Sequence, residues 1–122
     1  MATTVDLQQP IYDSAIQQIV CPTLAASTTI PMGAIAMTDS SGRAVNFVDA
    51  TYAGGGIGCL GVASARFVNT VASPLTKRML FTRNCAAILV GKSGDAPTAT
   101  LLGEKIALAD NATCKATIAA GD

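Results

Sequence analysis

No strongly apolar run in this sequence lasts beyond residues 85–90 before a turn-forming residue breaks it. That punctuation leaves no room for long amphipathic helices and asks for short strands. From Thr23 onward, segments rich in Val, Ile, Thr and Ala recur at intervals of about 8–12 residues, the rhythm of a β-sandwich or β-barrel. Residues 34–37 form a short apolar strand. Asp39-Ser40-Ser41-Gly42 supplies a turn, and residues 43–48 then alternate, with Ala44 and Asn46 on one face and Val45 and Phe47 on the other. This pair reads as a β-hairpin. A single helical turn is expected over residues 49–52, ahead of the joint Gly54-Gly55-Gly56. The alternating glycines of residues 57–63 predict a strand that carries a bulge or is approached closely by another backbone. Further strands are expected at residues 65–71, 77–82, 85–90, 105–109 and 115–119, with a polar loop over 91–97 and a short apolar segment at 99–102. Residues 33–39 are echoed at 103–110 with one insertion, which suggests two similar hairpins in one β-domain.

The first residues differ from the rest. After Pro10, the apolar Ile11, Ala15, Ile16, Ile19 and Val20 recur at near-helical spacing, and Asp13 or Ser14 suits a helix cap. The stretch Gln17-Gln18-Ile19-Val20-Cys21 suits a strand equally well. In either form residues 1–22 read as an N-terminal arm that packs onto something, and residues 23–122 as the β-rich domain.

At 122 residues the chain has the length of one domain with one core. Half of it is hydrophobic and only 13% is charged, against about a quarter in a soluble monomer. A surface so poor in charge is explained when partners cover part of it. The apolar residues are mostly small and aromatics are 4%, so a lone copy gains little free energy per buried residue and benefits from self-association. Eight cationic and eight anionic side chains cancel. That balance argues against a nucleic-acid partner, although Lys77-Arg78 and nearby Arg83 form the one basic cluster and suit a solvated face or an interface rim. No run is long enough for a membrane-spanning helix, and the first residues lack a secretory signal, so synthesis in the cytoplasm and no membrane partner are expected.

Chemistry is thin. The sequence has no histidine, which removes the commonest general base and every Ser-His or Cys-His constellation. Gly91-Lys92-Ser93 resembles the end of a phosphate loop, but Ala86 stands where the first glycine is required. Cys21, Cys59, Cys85 and Cys114 are far apart and form no Cys-x-x-Cys pair. They read as free, buried thiols rather than as a zinc site. Most carboxylates fall in predicted turns. No catalytic residue, metal or cofactor is expected.

One stretch carries a resemblance. The segment "Pro-Met-Gly-Ala-Ile-Ala-Met…Asp-Ser-Ser-Gly-Arg-Ala-Val", followed by "Gly-Ile-Gly-Cys-Leu-Gly-Val-Ala", resembles the head decoration (cement) proteins of tailed bacteriophages. So does "Gly-Glu-Lys-Ile-Ala-Leu-Ala-Asp-Asn…Ala-Ala-Gly-Asp" over residues 103–122. The resemblance implies an all-β domain, a small β-barrel or β-tulip with an extended N-terminal arm and at most one or two short helices. It implies a non-catalytic role in the virion. The domain would bind the outside of the capsid, contact the major capsid protein and itself, often as a trimer, and hold the shell together. In such proteins the Ala-Gly-Asp turn commonly leads to another strand, which here the N-terminal arm would have to supply. The expected contact residues on the arm are Val5, Leu7, Ile11, Tyr12, Ile16 and Ile19. On the hairpin they are Met37, Arg43 and Phe47. Other virion components, such as a capsid spike or a tail-tube or fibre-base subunit, remain alternatives. So do a bacterial β-barrel binding module and a small carboxylate-site enzyme.

Overall fold

The structure, a computed structural model, describes residues 2–7, 17–49, 58–83 and 87–118. Its strands are β1 (Gln17–Leu24), β2 (Thr28–Ile30), β3 (Ile35–Thr38), β4 (Ala44–Asn46), β5 (Cys59–Ala63), β6 (Phe67–Asn69), β7 (Leu75–Arg83), β8 (Val90–Gly91), β9 (Ala107–Leu108) and β10 (Thr113–Lys115). A 3₁₀ turn occupies Ala99–Leu101. The all-β expectation holds: β1-β4-β3-β5-β7 close into a barrel, β8-β10-β9 form a small sheet, and β2 pairs with β6. The expectations placed on Gly54-Gly55-Gly56, on Cys85 and on residues 119–122 lie outside the described residues.

The hairpin β3–β4 forms as its turn residues require. The Asp39 carboxylate accepts the N–H groups of Ser41 and Arg43, each at 2.9 Å, and Arg43 Nε at 3.0 Å. One side chain thereby closes the turn, as Asp does when it mimics backbone. On its other side β3 pairs with β5, and the register slips between the pairs Ala36–Gly61 and Met37–Cys59, leaving Leu60 as the extra residue. The bulge and the close approach expected from the glycines both occur here. Gly61 has φ of +112°, and a side chain at this position would overlap the Thr82 carbonyl.

β1 closes the barrel. It runs antiparallel along β7 from Gln17–Arg83 to Leu24–Leu75 and meets β4 in parallel at Leu24–Ala44. Pro22 lacks an N–H for the ladder, so the sheet gives way there. Cys21 pairs with Met79 and Thr23 with Thr76, which sets two β7 residues, Lys77 and Arg78, against the one proline. The boundary drawn at residue 22 is therefore corrected. Residues 17–22 are part of a barrel strand, and among the described residues only 2–7 lie outside the strands as an N-terminal extension.

Alternation splits the core in two. Ala36, Ala44, Leu60, Met79 and Phe81 point into the barrel with Cys21, Leu24, Ile30, Ala63 and Phe67. The rings of Phe67 and Phe81 meet at 5.5 Å and 58°, a favourable tilted pair. Ile35, Met37, Phe47 and Val62 point out of the barrel, and Ala87, Leu89 and Leu108 from the C-terminal part cover them. The Ile35 N–H to Asn111 carbonyl bond (2.8 Å) and a bridge between Val48 and Asp110 join the two parts. The echoed segments lead into two hairpins, β3–β4 in the barrel and β9–β10 in the small sheet.

Several predicted bounds move. The strand expected at 115–119 is Thr113–Lys115, and the short apolar segment at 99–102 contains a 3₁₀ turn. Of residues 85–90, the described 87–89 are not strand, and β8 begins at Val90.

Candidate interaction surface

Residues 2–7 are laid along the outside of the barrel and fastened at both ends. The buried Asn111 side chain clasps Thr3 through its N–H (3.0 Å) and its carbonyl (3.2 Å). A third bond from Asn111 to Asn46 (3.0 Å), and one from Asn46 to the Thr29 carbonyl (2.8 Å), lock that clasp to the wall. At the other end the Leu7 N–H reaches the Met32 carbonyl (2.6 Å), and the Met32 N–H reaches Asp6 (2.9 Å). Arg66 bonds to Asp6 (2.9 Å) and to the Thr4 carbonyl (3.3 Å). Gly33 provides the room, because any Cβ there would overlap Leu7. An open pocket of about 580 Å³ remains between residues 2–4 and the wall of Asn46, Phe47, Arg66 and Asn111.

The expected contact residues divide sharply. Val5 stands 64% exposed on the docked extension. Leu7 is half-buried against Met32 and Gly33. Ile11, Tyr12 and Ile16 lie outside the described residues. Ile19 packs partly against the barrel core. Met37 and Phe47 are corrected: they are 1% and 4% exposed. Both project outward from the barrel as the alternation requires, but the chain's own C-terminal part covers them. Arg43 is half-exposed and engaged in the turn with Asp39. Sequence reading missed Asn111 and Asn46; a buried amide in a turn leaves no signal that separates it from an ordinary turn asparagine.

The titratable groups are engaged locally. The Met32 N–H and the Arg66 guanidinium hold Asp6 below its ordinary carboxyl pKa. Partial burial pushes Asp39 up, but the Arg43 and Ser41 N–H groups and the Arg43 guanidinium outweigh it, and its pKa is lowered. Burial likewise opposes, and the Ala112 N–H and Thr113 hydroxyl outweigh it, at Asp110. Asp49 pairs with the buried Lys115 at 2.7 Å. Burial pushes the Cys59 thiol up; it borders an apolar recess of about 220 Å³ lined by Ile35, Val62 and Leu108. A general acid needs a raised carboxyl and a nucleophilic thiol a lowered one; these shifts run the other way. Cys21, Cys59 and Cys114 are free thiols. Among the described residues no group of acidic or cysteine side chains could hold a metal ion, and no helix is long and apolar enough to cross a membrane.

The exposed large aliphatics include Ile88 (67%), Val90 (70%), Leu102 (90%) and Ile118 (51%), all in the C-terminal part. No protein family, no curated protein and no solved structure matches this chain.

Proposed function

We propose that this chain is a non-catalytic binding protein that coats a larger protein shell, in the manner of a phage head decoration protein. It acts on the virion surface after synthesis in the host cytoplasm. It contacts the major capsid protein and further copies of itself as a trimer, and it uses neither metal nor cofactor.

The observation that carries this reading is the docked extension. Residues 2–7 are bonded to Asn111, Met32 and Arg66 while Val5 is left 64% exposed. Such a segment suits an outward-facing contact element. The filled barrel interior and the lowered carboxyl pKa values agree with it. Aliphatic side chains left in water on the C-terminal part also suit a protein that works against a partner. Weak contacts of this kind become strong when a symmetric lattice repeats them.

The test is sedimentation of the purified protein with phage heads that lack it, with copies per head counted by quantitative mass spectrometry. Hundreds of copies per head are expected, fewer once residues 2–7 are deleted. A few copies would indicate a spike or tail component. A protein that stays in the supernatant would end the head-binding reading.

A further inference from the structure

The neutral total hides a segregation of charge. Between Asp49 and Asp95 the sequence contains no Asp or Glu, yet it contains Arg66, Lys77, Arg78, Arg83 and Lys92. The fold concentrates three of these on one element. β7 carries Lys77, Arg78 and Arg83, and its neighbour β1 carries no charge at all. Three other cations are paired: Arg43 with Asp39, Arg66 with Asp6, and Lys115 with Asp49. The remaining described carboxylates, Asp95, Glu104 and Asp110, all belong to the C-terminal part. Among the described residues, the three β7 cations make no ion pair.

The same ribbon leaves aliphatic surface beside two of them. Val20 is 48% exposed, and Pro22 is exposed too. Val20 lies opposite the half-buried Leu80, and Pro22 lies opposite the bulge at Lys77-Arg78. The bulge caused by Pro22 thus presents two adjacent cations at the border of an aliphatic strip. Arg83 belongs elsewhere: it shares the parity of Met79 and Phe81, and its side chain lies against Gly61 beside the Cys59 recess.

We infer that the outer face of the β1–β7 ribbon, with Lys77 and Arg78 beside Val20 and Pro22, is a docking surface for an acidic protein surface with an aliphatic centre. Aliphatic contact inside a charged margin is the anatomy of a protein interface. Nucleic acid fits less well. Single strands need exposed aromatic platforms, and the one aromatic on the ribbon, Phe81, is fully buried at 0%. The inference rests on the surface-binding reading only for the partner being a protein.

The test uses the full chain and a fluorescein-labelled peptide of alternating glutamate and leucine, read by anisotropy. Oligothymidylate of equal length and phosphatidylserine vesicles are run beside it. Wild type is expected to bind the peptide most tightly, and more weakly as salt rises. Lys77→Glu/Arg78→Glu is expected to weaken it by about tenfold or more. Lys92→Glu/Lys105→Glu, in the C-terminal part, is expected to leave it unchanged. If circular dichroism shows that the charge reversal unfolds the protein, Lys77→Gln/Arg78→Gln takes its place with a several-fold loss expected. Equal binding by wild type and ribbon variant, no binding by wild type, or tighter binding to oligothymidylate or vesicles would overturn the inference. Phage heads separate it from the wider reading. Heads that take up wild type and ribbon variant equally remove this surface and keep head binding. Heads that take up neither, while the peptide still discriminates, remove head binding and keep the surface.

Discussion

Two residues show how a correct local reading leads to a wrong role. Met37 and Phe47 sit at positions whose side chains leave the barrel, and alternation alone marks them as outward. Whether outward means solvent depends on a contact made much later in sequence, where Leu108 folds back over them. Nothing local encodes that return. Gly61 is the opposite case, because its need is local. Its φ is +112°, and the Thr82 carbonyl occupies the space of a Cβ. Gly61→Ala must therefore strain the backbone and also push two paired strands apart. The expected loss is at least about 2 kcal/mol, read as a lower urea midpoint with an unchanged slope. A loss near zero would mean that β5 and β7 are not held as closely as described.

Among the elements, the hairpin and the glycine-bearing strand were legible because short-range chemistry fixes them. Asp39 builds its own turn, and alternating glycines announce a bulge. β1 was legible as a possible strand but not as a barrel member. Its pairing with β7 spans about half the chain, and its contact with β4 is a single parallel pair. Pro22 also disguises it, since a proline inside a strand is normally read as its end. The consequence concerns truncation. Deleting residues 2–7 removes bonds to the barrel surface but no core side chain, so the barrel should persist with a lower Tm. Deleting residues 1–20 removes Gln17, Gln18, Ile19 and Val20, the partners of Arg83, Thr82, Phe81 and Leu80. That opens the barrel along one seam and should abolish the folded state. Circular dichroism melts of the two truncations check this. A cooperative melt from the longer deletion would show that β1 is dispensable to closure.

For the whole molecule, the all-β class was readable because punctuation and β-branched content agree along the chain. Barrel closure was not, and neither was the distribution of charge, since a total of zero says nothing about where each sign lies. The candidate surface was legible in part: Lys77-Arg78 stands out in sequence, but the fold supplies the reason the pair is displayed, namely the register slip opposite Pro22. The extension's seat was not legible, because it depends on Asn111 meeting Thr3 across nearly the whole chain.

Charge also fixes how stability varies with pH. Asp6, Asp39 and Asp110 all have folded pKa values below the ordinary 3.8. A carboxyl lowered by folding contributes stability that is present above its ordinary value and lost as pH falls through the folded one. Cys59 is shifted the other way, above the ordinary 9.0. Its contribution is complete below that value and is lost as pH rises through the folded pKa. No histidine titrates between these limits. The Tm should therefore be nearly flat from about pH 5 to pH 8 and fall below about pH 4. Asp39→Asn should lower the Tm on the plateau, where it removes an ionised acceptor from the turn. Its deficit relative to wild type should shrink in acid, where the native carboxyl is itself protonated. Differential scanning calorimetry across that range reads both effects. A wild-type decline that begins near pH 6, or a deficit for Asp39→Asn that grows in acid, would mean that these carboxylates are not held in the ionised state by the turn and the docked extension.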